Sequence, residues 1–167
     1  VLLPGQGICV YKHDGSYSSP TTANSKRLNN VTGSGALASL NVYSIAEDIE
    51  DDIWVGSDKG IMVFYNPENV ISGNSDAQQI FITQDGQTQI LLETELVSAI
   101  AVDGGNNKWI GTRNGGVYCL SPDGQKQLYH FTIDNSPLYS NSILDITIDP
   151  KTGEVFIATT KGMLSFQ

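Results

Sequence analysis

VSAIAVDGGNNKWIGTRNGGVYCL, residues Val97 to Leu120, reads as a strand, a polar turn, a second strand, a glycine turn and a third strand. Upstream the pattern returns as VYSIAEDIEDDIWVGSDKGIMVF, Val42 to Phe64, and downstream as ILDITIDPKTGEVFIATTKGMLSF, Ile143 to Phe166. The three starts lie 55 and 46 residues apart (42 to 97, 97 to 143). Self-similarity at such a period marks a repeat architecture, and several short strands per unit point to the blades of a β-propeller.

Three anchors hold the same register in each unit. An Asp closes the first strand six residues after its leading Val or Ile, at Asp48, Asp103 and Asp149. Six residues further on, Trp54 and Trp109 open the second strand, and Phe156, seven residues beyond Asp149, takes the corresponding place in the last unit. A large ring there fills the wedge between neighbouring blades, where truncation to Ala costs about 3 to 5 kcal/mol. Gly56, Gly111 and Ala158 lie two residues later on the same face, small enough for the next blade to approach. Gly60, Gly115 and Gly162 then supply the positive φ of a tight hairpin. The first strands are nearly all apolar or small, which predicts strands covered on both faces.

Outward from these units the chain divides into four pieces of one all-β propeller. Residues 1–41 are a truncated first blade with a long loop, because VLLPGQGICVY aligns without a gap to WVGSDKGIMVF and sets Val1 against Trp54. The polar stretch from Lys12 to Ser25, with Pro20, is that loop, and an outer strand follows from Lys26. Residues 42–96 and 97–142 are full blades, and 143–167 is a truncated last blade. Outer strands are expected at QQIFI from Gln78, ahead of a DGQ turn at Asp85, and at QLYHFT from Gln127. The strand count is three, four, four and three. Closed propellers have four to eight blades, so the ring is not closed by this chain alone. Self-association or pairing with further blades is the expected consequence of open edges.

Composition excludes some roles. With 167 residues, 40% hydrophobic and 16% charged, the chain can bury a core and is not disordered. A formal charge of −9 disfavours nucleic acid and anionic membrane surfaces. No window reaches the roughly 18 apolar residues of a membrane span, and the opening residues do not form a signal segment. That composition also fits an extracytoplasmic chain without its targeting segment. Cys9 and Cys119 fall on adjacent strand positions of blades that are not neighbours, which predicts two buried thiols rather than a bridge.

Sites of chemistry are few. Asp48, Glu50, Asp51 and Asp52, with Glu47, are the densest acidic cluster and the one candidate for a hard cation such as Ca²⁺. Their spacing matches no established loop, and a solvated hairpin turn is the simpler reading. His13 and His130 are the only histidines, and no Cys or His spacing suits zinc. Neither a nucleophile elbow nor a phosphate loop is present, so no catalytic residue and no cofactor is expected. The tyrosines spread across the repeats are expected in interblade packing or as edge cover, and Asn30-Val31-Thr32 matches a glycosylation acceptor.

WVGSDKG and WIGTRNGGV, led in by SIAED and AIAVD, resemble the two-component-regulator propeller repeat common in Bacteroidetes. Within that group, IMVFYNPENV at Ile61, AIAVDGGNNKWIGTRNGGVYCLSPDG at Ala99 and HFTIDNSPLYSNSILDITIDPKTGEVFIAT at His130 resemble PorZ-like proteins of the type IX secretion system. The resemblance implies an extracytoplasmic, non-enzymatic binding module in the periplasm or at the cell surface. Its implied partner is a glycan or lipopolysaccharide, or a protein of the secretion machinery. The rival implication is the periplasmic sensor propeller of a hybrid histidine kinase that detects oligosaccharides. No binding residue carries over, and Phe156-Ile157-Ala158 departs from the Trp-x-Gly pattern.

Overall fold

The computed structural model describes residues 1–3, 5–12, 25–73, 76–84 and 86–167. His13, most of the loop from Lys12 to Ser25 and the turn residue Asp85 lie outside the described residues. Among the described residues, sixteen strands form four radial sheets and one separate hairpin. Blade 1 is β1 (Leu2–Leu3), β2 (Gly7–Tyr11) and β3 (Ser25–Leu28). Blade 2 is β4 (Val42–Glu47), β5 (Ile53–Ser57), β6 (Gly60–Phe64) and β7 (Gln78–Gln79). The hairpin β8 (Phe81–Gln84) and β9 (Gln87–Ile90) follows. Blade 3 is β10 (Val97–Val102), β11 (Lys108–Thr112), β12 (Val117–Leu120) and β13 (Gln127–Phe131). Blade 4 is β14 (Ile143–Ile148), β15 (Val155–Thr159) and β16 (Gly162–Phe166). Each blade is an antiparallel meander in chain order, and the ring stays open.

The core is three seams between blades rather than one central mass. Met62, Phe64 and Val55 of blade 2 pack against Ile8, Leu28 and Leu37. Ile61 and Val63 alternate with them along β6 and so point the other way, joining Trp54 to Ile100, Ile110 and Leu120 of blade 3. Trp109, Val117 and Cys119 of blade 3 meet Ile143, Ile146 and Ile157 of blade 4. Period-two alternation on a third strand thus feeds two seams at once. Inner strands touch through Ser44 Oγ, which donates to the Val97 carbonyl (3.4 Å), and Ser98 Oγ, which donates to the Ile143 carbonyl (2.7 Å).

Several expectations need correction. The inner strands are not uniformly covered: β10 is buried or half-buried throughout, but Ile45 of β4 and Leu144 of β14 are exposed. Strand pairing also inserts one residue into two of the turns. Ser57 pairs with Gly60, whereas Thr112 is linked to Gly116 and Leu3 pairs with Gly7. The positive φ therefore belongs to Gly116 (82°), not Gly115, and in the other turns Gly7, Gly60 and Gly162 take it, with Gly5 also left-handed in the blade 1 turn. Val1 exchanges backbone hydrogen bonds with Cys9, as Val55 pairs with Met62, so Val1 matches Val55 and not Trp54.

The outer strand of blade 2 is shorter than QQIFI. Only Gln78 and Gln79 pair with β6, after which the chain leaves the blade and Phe81–Gln84 pairs with β9. Ile80 and Leu91, buried at the base of this hairpin, hold it to the blade 2–blade 3 seam. Cys9 is half-buried rather than buried. Tyr43, Tyr65, Tyr129 and Tyr139 are exposed, and of these Tyr129 still meets Phe166 of blade 4, with ring centres 6.2 Å apart.

Candidate functional site

The acidic turn of blade 2 is built around one carboxylate. Asp48 Oδ1 accepts the backbone N–H groups of Glu50 (2.9 Å) and Asp52 (3.1 Å), which closes the turn. Its Oδ2 accepts the indole N–H of Trp54 (2.9 Å) and the ammonium of Lys108 from blade 3 (2.8 Å). Burial alone would raise the Asp48 pKa, but the hydrogen bonds from Lys108, Trp54 and the two amides outweigh it and hold the carboxyl below its ordinary value. Asp103 repeats the arrangement with Gly105, Asn107 and Trp109, and its pKa is lowered for the same reasons against the same burial.

The repeated geometry of the Asp and Trp anchors is therefore a tie between turn and wedge ring. It leaves Asp48 no free oxygen for a cation. Glu50 and Asp51 are exposed, and Asp52 is half-buried, with its pKa raised by burial and by the charge of Asp48. Among the described residues no group of three His, Cys, Asp or Glu is placed to hold a metal ion.

Lys108 was not singled out by its sequence. Its side chain is fully buried, and its ammonium also donates to the carbonyls of Asn106 and Pro122 (2.8 Å each), so all three protons are used. It lies 4.8 Å from the centre of the Trp54 ring. The signal was present as an anomaly, because Lys108 fills a place taken by Ile53 and Val155 in the other repeats. Asn106 adds a second tie, accepting the N–H of Ile49 from blade 2 (3.1 Å).

The small anchors sit where contact is tightest. A Cβ on Gly56 would lie 2.5 Å from Val97 Cγ1, and one on Gly111 would lie 2.5 Å from Ile143 Cγ2. In blade 4 the same place holds the half-buried Ala158, and Phe156 is half-buried. Cys119 is buried, and burial, with the charge of Asp103, pushes its thiol up to about 12. Such a group holds no thiolate at neutral pH and is a small apolar filler, not a nucleophile.

Two concave surfaces flank the blade 2 scaffold. One is an apolar groove of about 580 Å³ beside blade 1, lined by Val1, Val10, Ile45, Ile53, Phe64 and Glu68 among others. Ile45, Ile53 and Phe64 are the counterparts of Ile100, Lys108 and Leu120, which surround Trp54 in the next seam. The other is a polar cleft of about 430 Å³ between the β8–β9 hairpin and the outer half of blade 3. Tyr118 and His130 form one wall, their rings stacked 4.0 Å apart at 11°. His130 Nε2 meets the Gly115 carbonyl at 2.7 Å, and Glu95 lies close by, its charge adding to burial in raising the Tyr118 pKa.

This geometry fits what comparison finds. Residues 36–59 match the family model described as Two component regulator propeller. Those residues carry the two-component-regulator propeller repeat. The span matched holds Asp48, Trp54 and Gly56, the parts of the repeat that build the tie and the close approach.

In solved structures, PorZ, described as an essential bacterial surface component of the type IX secretion system of Porphyromonas gingivalis, is 30% identical with a TM-score of 0.84. The match covers 96% of this chain and 22% of PorZ. The extracellular domain of a protein described as a hybrid two-component system of B. thetaiotaomicron shares the fold at 23% identity and TM-score 0.60, over 78% of this chain and 16% of that one. A protein described as a gluconolactonase shares the fold at 16% identity and TM-score 0.52, over 75% of this chain and 38% of that one. The chain thus spans about a fifth of the PorZ chain it resembles. Comparison with curated proteins gives no match. Among the described residues no helix is long and apolar enough to cross a membrane, which says nothing of a β-barrel.

Proposed function

We propose that the chain is part of a non-enzymatic binding propeller of a bacterial cell-surface protein of the PorZ kind, taking a glycan, lipopolysaccharide included, or a protein of the secretion machinery. The observation that carries this reading is the likeness to PorZ, 30% identity and TM-score 0.84 sustained over 96% of the chain. Three features support a binding role without turnover. The buried carboxylates are committed to structural ties, the buried thiol is held neutral, and the open surfaces are a groove and a cleft.

The decisive experiment uses a parent protein that contains this segment. Its location is mapped by surface proteolysis of intact cells, and the purified protein is tested on a glycan array and by calorimetry. Surface exposure with saturable glycan binding and no turnover is the expected result. Burial in the cytoplasm, or hydrolysis of a bound glycan, would overturn it. The match of residues 36–59 to the regulator repeat favours one second reading, a sensor propeller of a two-component system. Oligosaccharide-dependent phosphorylation of a kinase domain in the same parent would select it.

A further inference from the structure

The polar cleft between blades 2 and 3 has walls that the propeller scaffold itself does not require. One wall is the β8–β9 hairpin, which among the described residues has no counterpart in the other blades. Additions to a repeat array collect on one face, and that face is commonly the binding one. On the opposite wall Gly115 is the extra residue of the blade 3 turn. A Cβ there would meet Tyr118 Oη at 2.9 Å, Thr112 Oγ1 at 3.0 Å and Glu95 Cδ at 3.2 Å. Its bare backbone lets a hydroxyl and a carboxylate from two different blade segments converge.

The Gly115 carbonyl also fixes the imidazole. A carbonyl only accepts, so His130 Nε2 carries the proton in the 2.7 Å bond. Stacking on Tyr118 holds the ring plane. Gln127 adds an amide that donates and accepts, and Ile82 and Leu92 add apolar surface. Glu93 and Glu95 give the lining its charge, and none of the described residues lining it is Lys or Arg.

We propose that this cleft binds an uncharged saccharide. Sugar hydroxyls donate and accept together, which matches carboxylates and the Gln127 amide placed beside the Tyr118–His130 ring stack. The C–H faces of a sugar suit Ile82 and Leu92. A phosphate, sulfate or uronate would face Glu93 and Glu95 without a cation, and an alkylammonium would leave the amide donors unused. The proposal rests on the binding-module reading above and assigns it a site and a ligand charge.

The test is an amide NMR titration of the ¹⁵N-labelled chain with three probes: a panel of neutral mono- to tetrasaccharides, glucose 6-phosphate, and butylamine. At least one neutral sugar is expected to shift Gly115, Tyr118, Gln127 and His130 in a saturable way, with neither charged probe doing so. Glu95→Gln should weaken that binding about tenfold or more. Gly115→Ala should do the same, and the dispersion of its spectrum reports whether it is folded. Binding confined to the phosphate or the amine, or no shift of these amides with any neutral sugar up to its solubility, overturns the proposal. Sugar binding that moves other amides and survives Glu95→Gln removes this cleft but leaves the binding-module reading intact. Silence of both this chain and the parent protein on sugars removes both.

Discussion

The seam between blades 2 and 3 and the seam between blades 3 and 4 are cut from one pattern and differ chiefly at a single place. In both, an Asp closes the inner strand, caps the turn and accepts the indole N–H of the wedge Trp. In the first seam the facing blade supplies Lys108, which completes Asp48 and lies against the Trp54 ring. In the second the same place holds Val155, and Asp103 turns to Asn107 instead. Trp109 meets aromatic neighbours, Phe131 at 6.2 Å and Phe166 at 5.6 Å between ring centres. One repeat thus closes its wedge with a buried ion pair at one seam and with aromatic packing at the next. The tie of Asp to Trp is the shared device, and the cation is an addition to it.

Truncating the wedge rings should separate the two solutions most. Trp54→Ala and Trp109→Ala are each expected to cost about 3 to 5 kcal/mol, with Trp54 the larger. Its loss opens space beside a fully buried ammonium, whereas Phe131 and Phe166, both partly open to solvent, can close over the gap left by Trp109. Urea melts followed by circular dichroism give the comparison. Equal losses would mean that the two closures yield alike to truncation, and a loss under about 1 kcal/mol at either site would mean that its ring does not hold the seam.

Removing the carboxylates comes next. Asp48→Ala leaves Lys108 buried with two carbonyls and no counter-charge, which should cost about 3 to 5 kcal/mol. Asp103→Ala strands an indole N–H and the turn amides without stranding a charge, for about 1 to 3 kcal/mol. The double variant Asp48→Asn with Lys108→Met removes both charges and keeps an acceptor for Trp54. It should lie closer to wild type than Asp48→Ala does. A double variant at least as damaged as Asp48→Ala would show that the ion pair is not what the Lys is there for.

The glycine approach is a smaller effect and should be alike in both seams. Gly56→Ala and Gly111→Ala each drive a methyl to within 2.5 Å of the inner strand of the next blade, for about 1 to 3 kcal/mol of overpacking. Blade 4 already has Ala158 at this place. Ala158→Gly is expected to be nearly neutral, and thermal melts of the three variants make the contrast.

Much of this comparison was legible before any coordinates, and the reason is periodicity. Asp48, Trp54 and Gly56 recur in register as Asp103, Trp109 and Gly111, so their shared environment could be read from spacing alone. The turn was misread because an ungapped alignment laid Gly115 on Gly60, while strand pairing gives that role to Gly116. Lys108 was visible only as a misfit among Ile53 and Val155, and its partner lies 60 residues away in another blade. The polar cleft was not legible at all. Glu95, Tyr118 and His130 come from a crossover, a third strand and an outer strand, and no spacing in the sequence links them. The hairpin wall was hidden in a stretch that reads equally well as one outer strand, and only its pairing with β9 shows otherwise.

Acid should sharpen the comparison with the smallest of these effects. Asp48 and Asp103 both titrate below the ordinary carboxylate value in the folded chain. A depressed folded pKa means that the stabilisation is complete above the unfolded value of about 4 and drains away as pH falls through the folded value. The protein should therefore hold its stability from neutral pH down to about 4 and lose it progressively below. At Asp103 the lowering comes from Asn107, Trp109 and backbone N–H groups, all of which survive in any variant of Lys108. At Asp48 the largest favourable contribution is the Lys108 ammonium, so Lys108→Met should let burial raise that carboxyl and shrink the acid-linked loss. Urea melts between pH 7 and pH 3 on wild type, Lys108→Met and Asp103→Asn measure it. The expected outcome is a shallower acid limb in both variants. An acid limb unchanged by Lys108→Met would mean that the turn amides and the indole hold Asp48 by themselves, and the two seams would then be electrostatically the same.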